Sequence, residues 1–269
     1  MSSNLIILKL GGSVISAKES GKPVLRARVV RRLAKEVSKW YSNVFPRKHA
    51  RLILLYGGGS FGHPLAHRYH LQNKSIDANA WEGIGRTIVA MRELGNQLAD
   101  IFLSAGIPIV PLQTSSFAHM RKGRVHFTDI STIKTILEKG GVPLLGGDVV
   151  LADKKKTAIA SADNLAVELS KKIKGVRLLF ATDVDGVYQK FPPRVQERPF
   201  STLDRGAVKK FLKARYSKIT RTDVTGAMPG KLRALLAARG TTAVVFNGNA
   251  RGSLADALSG KKQGTKVML

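Results

Sequence analysis

Short, almost wholly apolar runs alternate along the chain with longer stretches in which apolar residues recur every three or four positions. The first kind occupies Leu5 to Leu10, Leu52 to Tyr56, Ile107 to Leu112, Val142 to Leu145, Arg177 to Ala181 and Thr242 to Phe246. These read as strands. Between them Arg28 to Tyr41, Trp81 to Ser104, Ile130 to Lys139, Ala162 to Lys172, Gly206 to Tyr216 and Pro229 to Ala238 have the helical period. Such alternation predicts an α/β fold, with an open, mainly parallel sheet sandwiched by helices. Two segments depart from it. Phe117 to Phe127 and Val149 to Ile159 each place a basic or glycine-containing turn between apolar flanks, the pattern of β-hairpins projecting from the sheet. Each is either a lid or wall for a pocket, or a plain surface excursion.

Composition narrows the class. At 269 residues with 43% hydrophobic content, the chain has enough apolar surface for a substantial core and fits one compact unit with two lobes. No internal repeat or low-complexity linker divides it. No apolar run approaches the ~20 residues that span a bilayer, and Met1 to Leu10 lacks the basic start of a secretory leader, so a cytoplasmic protein is expected. Cysteine is absent, which removes disulfides, thiolate metal sites and cysteine nucleophiles. Lys and Arg number 45 against 18 Asp and Glu, a formal charge of +27. An excess of this size attracts anions, nucleic acid and phosphorylated small molecules alike. The basic residues are scattered rather than gathered in a tail, which argues against a dedicated nucleic-acid-binding segment.

Candidate chemistry lies at the strand ends. Lys9-Leu10-Gly11-Gly12-Ser13 closes the first strand, and glycines placed there let backbone N–H groups approach an anion with no side chain in the way. Neither the P-loop spacing nor the dinucleotide fingerprint is present. Gly57-Gly58-Gly59-Ser60-Phe61-Gly62-His63 follows the second strand in the same manner, Gly146-Gly147-Asp148 a later one, and Thr182-Asp183-Val184-Asp185-Gly186-Val187-Tyr188 another. One such turn has a structural explanation; four of them on the ends of parallel strands open into one crevice, where open α/β sheets bind ligands.

These segments, together with Asp223-Val224-Thr225-Gly226-Ala227-Met228-Pro229-Gly230-Lys231, resemble the signature of the amino acid kinase family in order and span. Within that family the turn ending in His63 is similar to that of the isopentenyl phosphate kinases, and also to the related kinases that phosphorylate fosfomycin. The resemblance implies the amino acid kinase fold and ATP-dependent phosphorylation of isopentenyl phosphate in isoprenoid biosynthesis, with fosfomycin, a longer prenyl phosphate or uridylate as alternative acceptors. It implies that Lys9 and Lys231 hold nucleotide phosphates, Lys18 follows the moving phosphoryl group and His63 orients the acceptor phosphate with Gly58, Gly62 and Gly147. Gly11, Gly12, Ser13, Gly59, Asp183, Asp185 and Gly226 would complete the ATP site. Mg²⁺ would be held by nucleotide oxygens and water. The N-terminal lobe, residues 1–173, would take the acceptor and residues 174–269 the nucleotide, in a homodimer without membrane or dedicated nucleic-acid partners.

Each assignment has a plainer counterpart. Lys18 stands in a polar loop where a solvated charge is the ordinary reading, and His67 and His70 fit a helix surface. Ser161-Ala162-Asp163-Asn164 fits a helix cap, whereas the resemblance places Asp163 between the active-site lysines. Asn164 stands where a second Asp is common in those kinases, and Ala162 and Ala227 replace glycines. Ile84, Ile88, Met91 and Leu94 fit either a pocket wall or an ordinary buried stripe.

Overall fold

The computed structural model describes residues 5–17, 22–48, 51–190, 193, 196–215 and 227–269. Strand β1 (Leu5–Leu10) is buried along its whole length. Successive side chains of a strand point to opposite faces, so Ile6, Leu8 and Leu10 enter one core and Leu5 and Ile7 the other. Each such buried side chain contributes roughly 1.5–3 kcal/mol of transfer free energy. Lys9 continues the Leu5–Ile7 face, and this parity aims the one charged residue of the strand. β1 pairs in parallel with β2 (Arg51–Tyr56) and β9 (Val176–Thr182), setting Lys9 opposite Leu55 and Phe180.

Among the described residues the main sheet has eight strands, in the order β10 (Thr202–Leu203), β12 (Thr265–Met268), β11 (Thr242–Asn247), β9, β1, β2, β6 (Val142–Gly146) and β3 (Ile109–Leu112). Only the β11–β12 pair is antiparallel. Helices α2 (Ala27–Lys48), α4 (Ala78–Ser104) and α9 (Ser253–Ser259) cover one face through Leu33, Leu98 and Leu254. On the other face, α5 (Ser131–Glu138), α6 (Ala162–Lys172), α7 (Arg205–Arg215) and α8 (Ala227–Leu235) pack through Ile133, Leu165, Leu212 and Leu232. Mainly parallel strands with helices on both faces are what the apolar rhythm predicts.

Both expected hairpins form, β4 (Ala118–Arg121) with β5 (Arg124–Phe127) and β7 (Asp148–Ala152) with β8 (Lys156–Ala160). They join through Met120 and Ala152 into a second, four-stranded sheet in the order β5–β4–β7–β8. Several elements depart from expectation. The glycine turns after β1 and β2 pass at once into helices α1 (Gly12–Ile15) and α3 (Gly59–Arg68), which glycine and Pro64 disfavour on propensity alone. β10, β12 and α9 carry too few residues for a period to show. Ile107 lies outside β3 because its N–H donates to the Phe102 carbonyl, finishing the turn that ends α4. Among the described residues no helix is long and apolar enough to cross a membrane.

Candidate active site

Because β1 and β2 are parallel neighbours in register, with Leu10 opposite Tyr56, their glycine turns emerge side by side. The Gly57 N–H donates to the Leu10 carbonyl at 3.0 Å and the Gly11 N–H to that of Ala181 at 2.9 Å, tying each turn to the adjacent strand. A Cβ on Gly12 would stand 2.5 Å from the nitrogen and 2.6 Å from the Cα of Gly59, so the two backbones touch where no side chain fits. Gly59 itself has φ +48°, a region that favours glycine. Ser16 fastens the turns together: its Oγ accepts from the Ser60 N–H at 3.0 Å and donates to the Gly12 carbonyl at 2.8 Å. Helix α1 begins at Gly12, leaving its first N–H groups without intrahelical acceptors beside the cleft. Gly11, Gly12, Ser13, Gly58, Gly59 and Gly62 all line one cavity of about 1090 Å³.

On the floor of that cavity a carboxylate stands between two ammonium groups. Asp163 Oδ1 is 3.1 Å from Lys9 Nζ and 2.8 Å from Lys231 Nζ. Three elements converge to make this contact: the inward parity of β1, the first turn of α6 and helix α8. Ser161 is the cap of α6, accepting from the Asn164 N–H at 3.1 Å, which leaves the Asp163 side chain for the lysines. Lys231 is 4% exposed, and its ammonium lies 4.8 Å from the centre of the Phe180 ring. Burial acts to raise the Asp163 carboxyl, but Lys231 and Lys9 overcome it and hold the group well below its usual range. Burial, reinforced by Lys9 and partly offset by Asp163, pushes Lys231 down to about 8.

The rest of the wall divides into two ends. At one, His63 is exposed on α3 beside Gly58, Gly62 and Gly147, with Thr87 and Met91 from α4 and Val149 and Ile159 from the second sheet. The Val149 to Ile159 hairpin is therefore a pocket wall. Ile84 and Leu94 belong to the buried stripe instead. At the other end Asp183, Gly186, Tyr188, Met228 and Gly230 line the cavity. Asp185 does not reach the wall: its carboxylate accepts from Asn247 Nδ2 at 2.7 Å and the Tyr188 hydroxyl at 3.1 Å. Lys18 and Gly226 lie outside the described residues. His67 and His70 stand exposed on and just after α3 with ring centres 6.1 Å apart, as surface residues do. Ala162 is 3% exposed and packed in the core, and it also borders the cavity.

Two residues that the strand-end reading passed over organise this site. Ser16 acts across 44 positions of sequence, a link visible only once the two turns are adjacent. Asp148, expected only as part of a turn, is 4% exposed and fully engaged, accepting from Gln113 Nε2 at 2.5 Å, the Ser115 N–H at 3.2 Å and the Val149 N–H at 2.9 Å. Burial outweighs these bonds and raises its carboxyl above the usual range. The buried acidic residue after Gly147 thus fixes the start of β7 and the loop before β4.

The sequence pattern of the amino acid kinase family matches residues 4–247. This chain belongs to that family. It is 35% identical over 272 aligned residues to the isopentenyl phosphate kinase of Methanothermobacter thermautotrophicus, and 34% identical over 268 to that of Methanocaldococcus jannaschii, each alignment covering 98% of both proteins. A solved isopentenyl phosphate kinase superposes with a TM-score of 0.80 at 31% identity, covering 97% of this chain and 99% of that one. The likeness spans both ends of the cavity.

Proposed function

We propose that this protein transfers the terminal phosphoryl group of ATP to isopentenyl phosphate, giving isopentenyl diphosphate. The observation that carries the reading is the meeting, in one cavity, of two touching glycine turns with His63 on one side and the Lys9–Asp163–Lys231 cluster on the other. The acceptor is a phosphate monoester whose attacking oxygen is already anionic, so no base is required and positioning with charge neutralisation supplies the catalysis. Lys9 and Lys231 would hold nucleotide phosphates, kept apart and aimed by Asp163, while the backbone N–H groups of Gly12 and Ser13 at the start of α1 would meet oxygens at the cavity wall. His63 would hold the acceptor phosphate. Lys18 would follow the transferred group during the transfer.

The nucleotide fits this lining because cations and uncluttered N–H donors face the cavity. Mg²⁺ would neutralise phosphate charge when it arrives with ATP, held by phosphate oxygens and water; among the described residues no group of three or more His, Cys, Asp or Glu side chains is placed to bind it. Residues 1–173 would supply the acceptor end and 174–269 most of the nucleotide end. A cytoplasmic homodimer completes the proposal. Val89 and Leu103 on α4 and Val110 on the edge strand β3 are exposed apolar side chains that such an interface would cover. Sedimentation at equilibrium should give twice the monomer mass, and the mass of one chain would remove the dimer.

Phosphorus NMR of a mixture with ATP, Mg²⁺ and isopentenyl phosphate should show the paired resonances of a diphosphate ester growing as ATP is consumed. Turnover of uridylate, fosfomycin or acetylglutamate with none of isopentenyl phosphate would overturn the assignment. A longer prenyl phosphate as the better substrate would move it within the same chemistry.

A further inference from the structure

A second concave site lies outside the cavity described above. A cleft of about 630 Å³ runs between α2 and the segment joining β11 to α9, lined by Arg26, Arg28, Arg31, Arg32, Lys35 and Arg251, with Val29, Glu36 and Asn249. Two of its cations are structural. Arg26 Nη1 donates to the Ser13 and Val14 carbonyls and to Asn249 Oδ1, and Arg32 donates to the Gly248, Asn249 and Ala250 carbonyls. The one acid in the cleft is consumed: Glu36 Oε1 accepts from Arg32 and the Gly252 N–H, and Oε2 from the Ala255 N–H. Arg28, Arg31, Lys35 and Arg251 are left exposed, with no protein acceptor among the described residues.

This arrangement costs the empty protein free energy. Arg28, Arg31 and Lys35 follow one another at helical spacing, and like charges so placed repel. They crowd the first turns of a helix whose N-terminal turn contains no acid, although that end of a helix already carries positive partial charge. An anion relieves both. Its chemistry follows from the lining: guanidinium forks match phosphate oxygens in pairs, several cations call for several phosphates, and no aromatic side chain lines the cleft. A nucleobase therefore has no stacking platform, the feature on which single-stranded nucleic acid binding relies.

We propose that the α2 cleft is a binding site for a bare phosphoanhydride chain, from inorganic polyphosphate or from the triphosphate of a nucleotide, held by Arg28, Arg31, Lys35 and Arg251. This stands apart from the kinase reading, since none of these residues borders the catalytic cavity. Calorimetric titration of the intact protein with inorganic tripolyphosphate is expected to show two classes of site. One should weaken by roughly 10-fold or more for each arginine removed in Arg31→Gln/Arg251→Gln, and survive in Lys231→Ala. Thermal melts of the double variant should match or exceed those of the parent, because the two side chains hold nothing else in the fold and their loss eases the repulsion along α2, and Arg31→Glu/Arg251→Glu should abolish the same class. ATP should bind this class no more tightly than tripolyphosphate does. A single class unaffected by either double variant overturns the site; ATP binding there 10-fold tighter than tripolyphosphate, or an RNA oligonucleotide displacing it at physiological salt, overturns the bare-chain reading.

Discussion

At Asp163 one carboxylate lies within 3.1 Å of two ammonium groups, and removing its charge leaves two buried cations facing each other. Asp163→Asn should lower kcat/KM for ATP by roughly 10²-fold, the loss typical of one preorganised electrostatic group. The pH dependence carries a sign. Lys231 has been pushed down to about 8, so the free enzyme loses that proton, and with it affinity for a nucleotide anion, as pH rises past 8. The profile of kcat/KM for ATP should show an alkaline limb near there, moved to lower pH in Asp163→Asn. Stability moves the other way: with a folded value below the unfolded 10.5, the unfolded chain binds more protons between about 8 and 10, so this group raises stability with pH across that window. Asp163, held below its usual range, contributes stability above the normal carboxylate range that is lost as pH falls through its folded value. A single midpoint for the activity limb and the stability change, with the same sign, would contradict this account of Lys231.

His63 belongs to the same scale and tests acceptor binding. If it anchors the acceptor phosphate, His63→Ala should reduce kcat/KM for isopentenyl phosphate by roughly 10- to 150-fold with little change for ATP, the equivalent of one charge-assisted hydrogen bond. His63→Gln should recover part of the loss by restoring a donor. Equal and severe defects in both variants would instead indicate proton abstraction. What the sequence showed of these residues was uneven. His63 and Lys9 stand next to glycine turns and are conspicuous in the linear pattern. Asp163 reads equally well as a cap until β1 brings Lys9 beside α6, and Asp185 looks like a site residue until Asn247, 62 positions away, claims its carboxylate.

Elements were legible where they bury a repeating apolar face. β1, α4 and α6 each carry enough turns or residues for the period to appear, and their limits in the structure fall within three residues of those read from the pattern. α1 and α3 were hidden because their first residues are glycines chosen for contact between backbones. That contact makes a sharp prediction at this scale. A methyl at position 12 meets the backbone nitrogen and Cα of Gly59 at 2.5 and 2.6 Å, with no flexible side chain available to yield. Gly12→Ala should separate the two turns, abolish measurable turnover and lower the melting temperature, while Gly85→Ala, which meets nothing within 4 Å on α4, should leave both intact. Full activity in Gly12→Ala would show that the turns need not touch for transfer.

At the scale of the whole molecule the unusual feature is charge, +27 in 269 residues, and it bears on rate rather than on fold. ATP and a phosphate ester are both anions, and a cleft with cations on its floor set in a positive field draws them in and raises their local concentration. Added salt screens that field over about 10 Å at 0.1 M and 3 Å at 1 M, whereas Lys231, 4% exposed and in direct contact with Asp163, is shielded from bulk ions. The two contributions therefore separate. Raising ionic strength should lower kcat/KM for both substrates by roughly 10-fold or more, within the range known for steered encounters, and leave kcat nearly constant. Neutralising exposed lysines that do not line the cavity, such as Lys209 and Lys210 on α7, should flatten the salt dependence without altering kcat. A kcat that falls in parallel with kcat/KM would place the salt-sensitive charges in the transition state instead of in the approach.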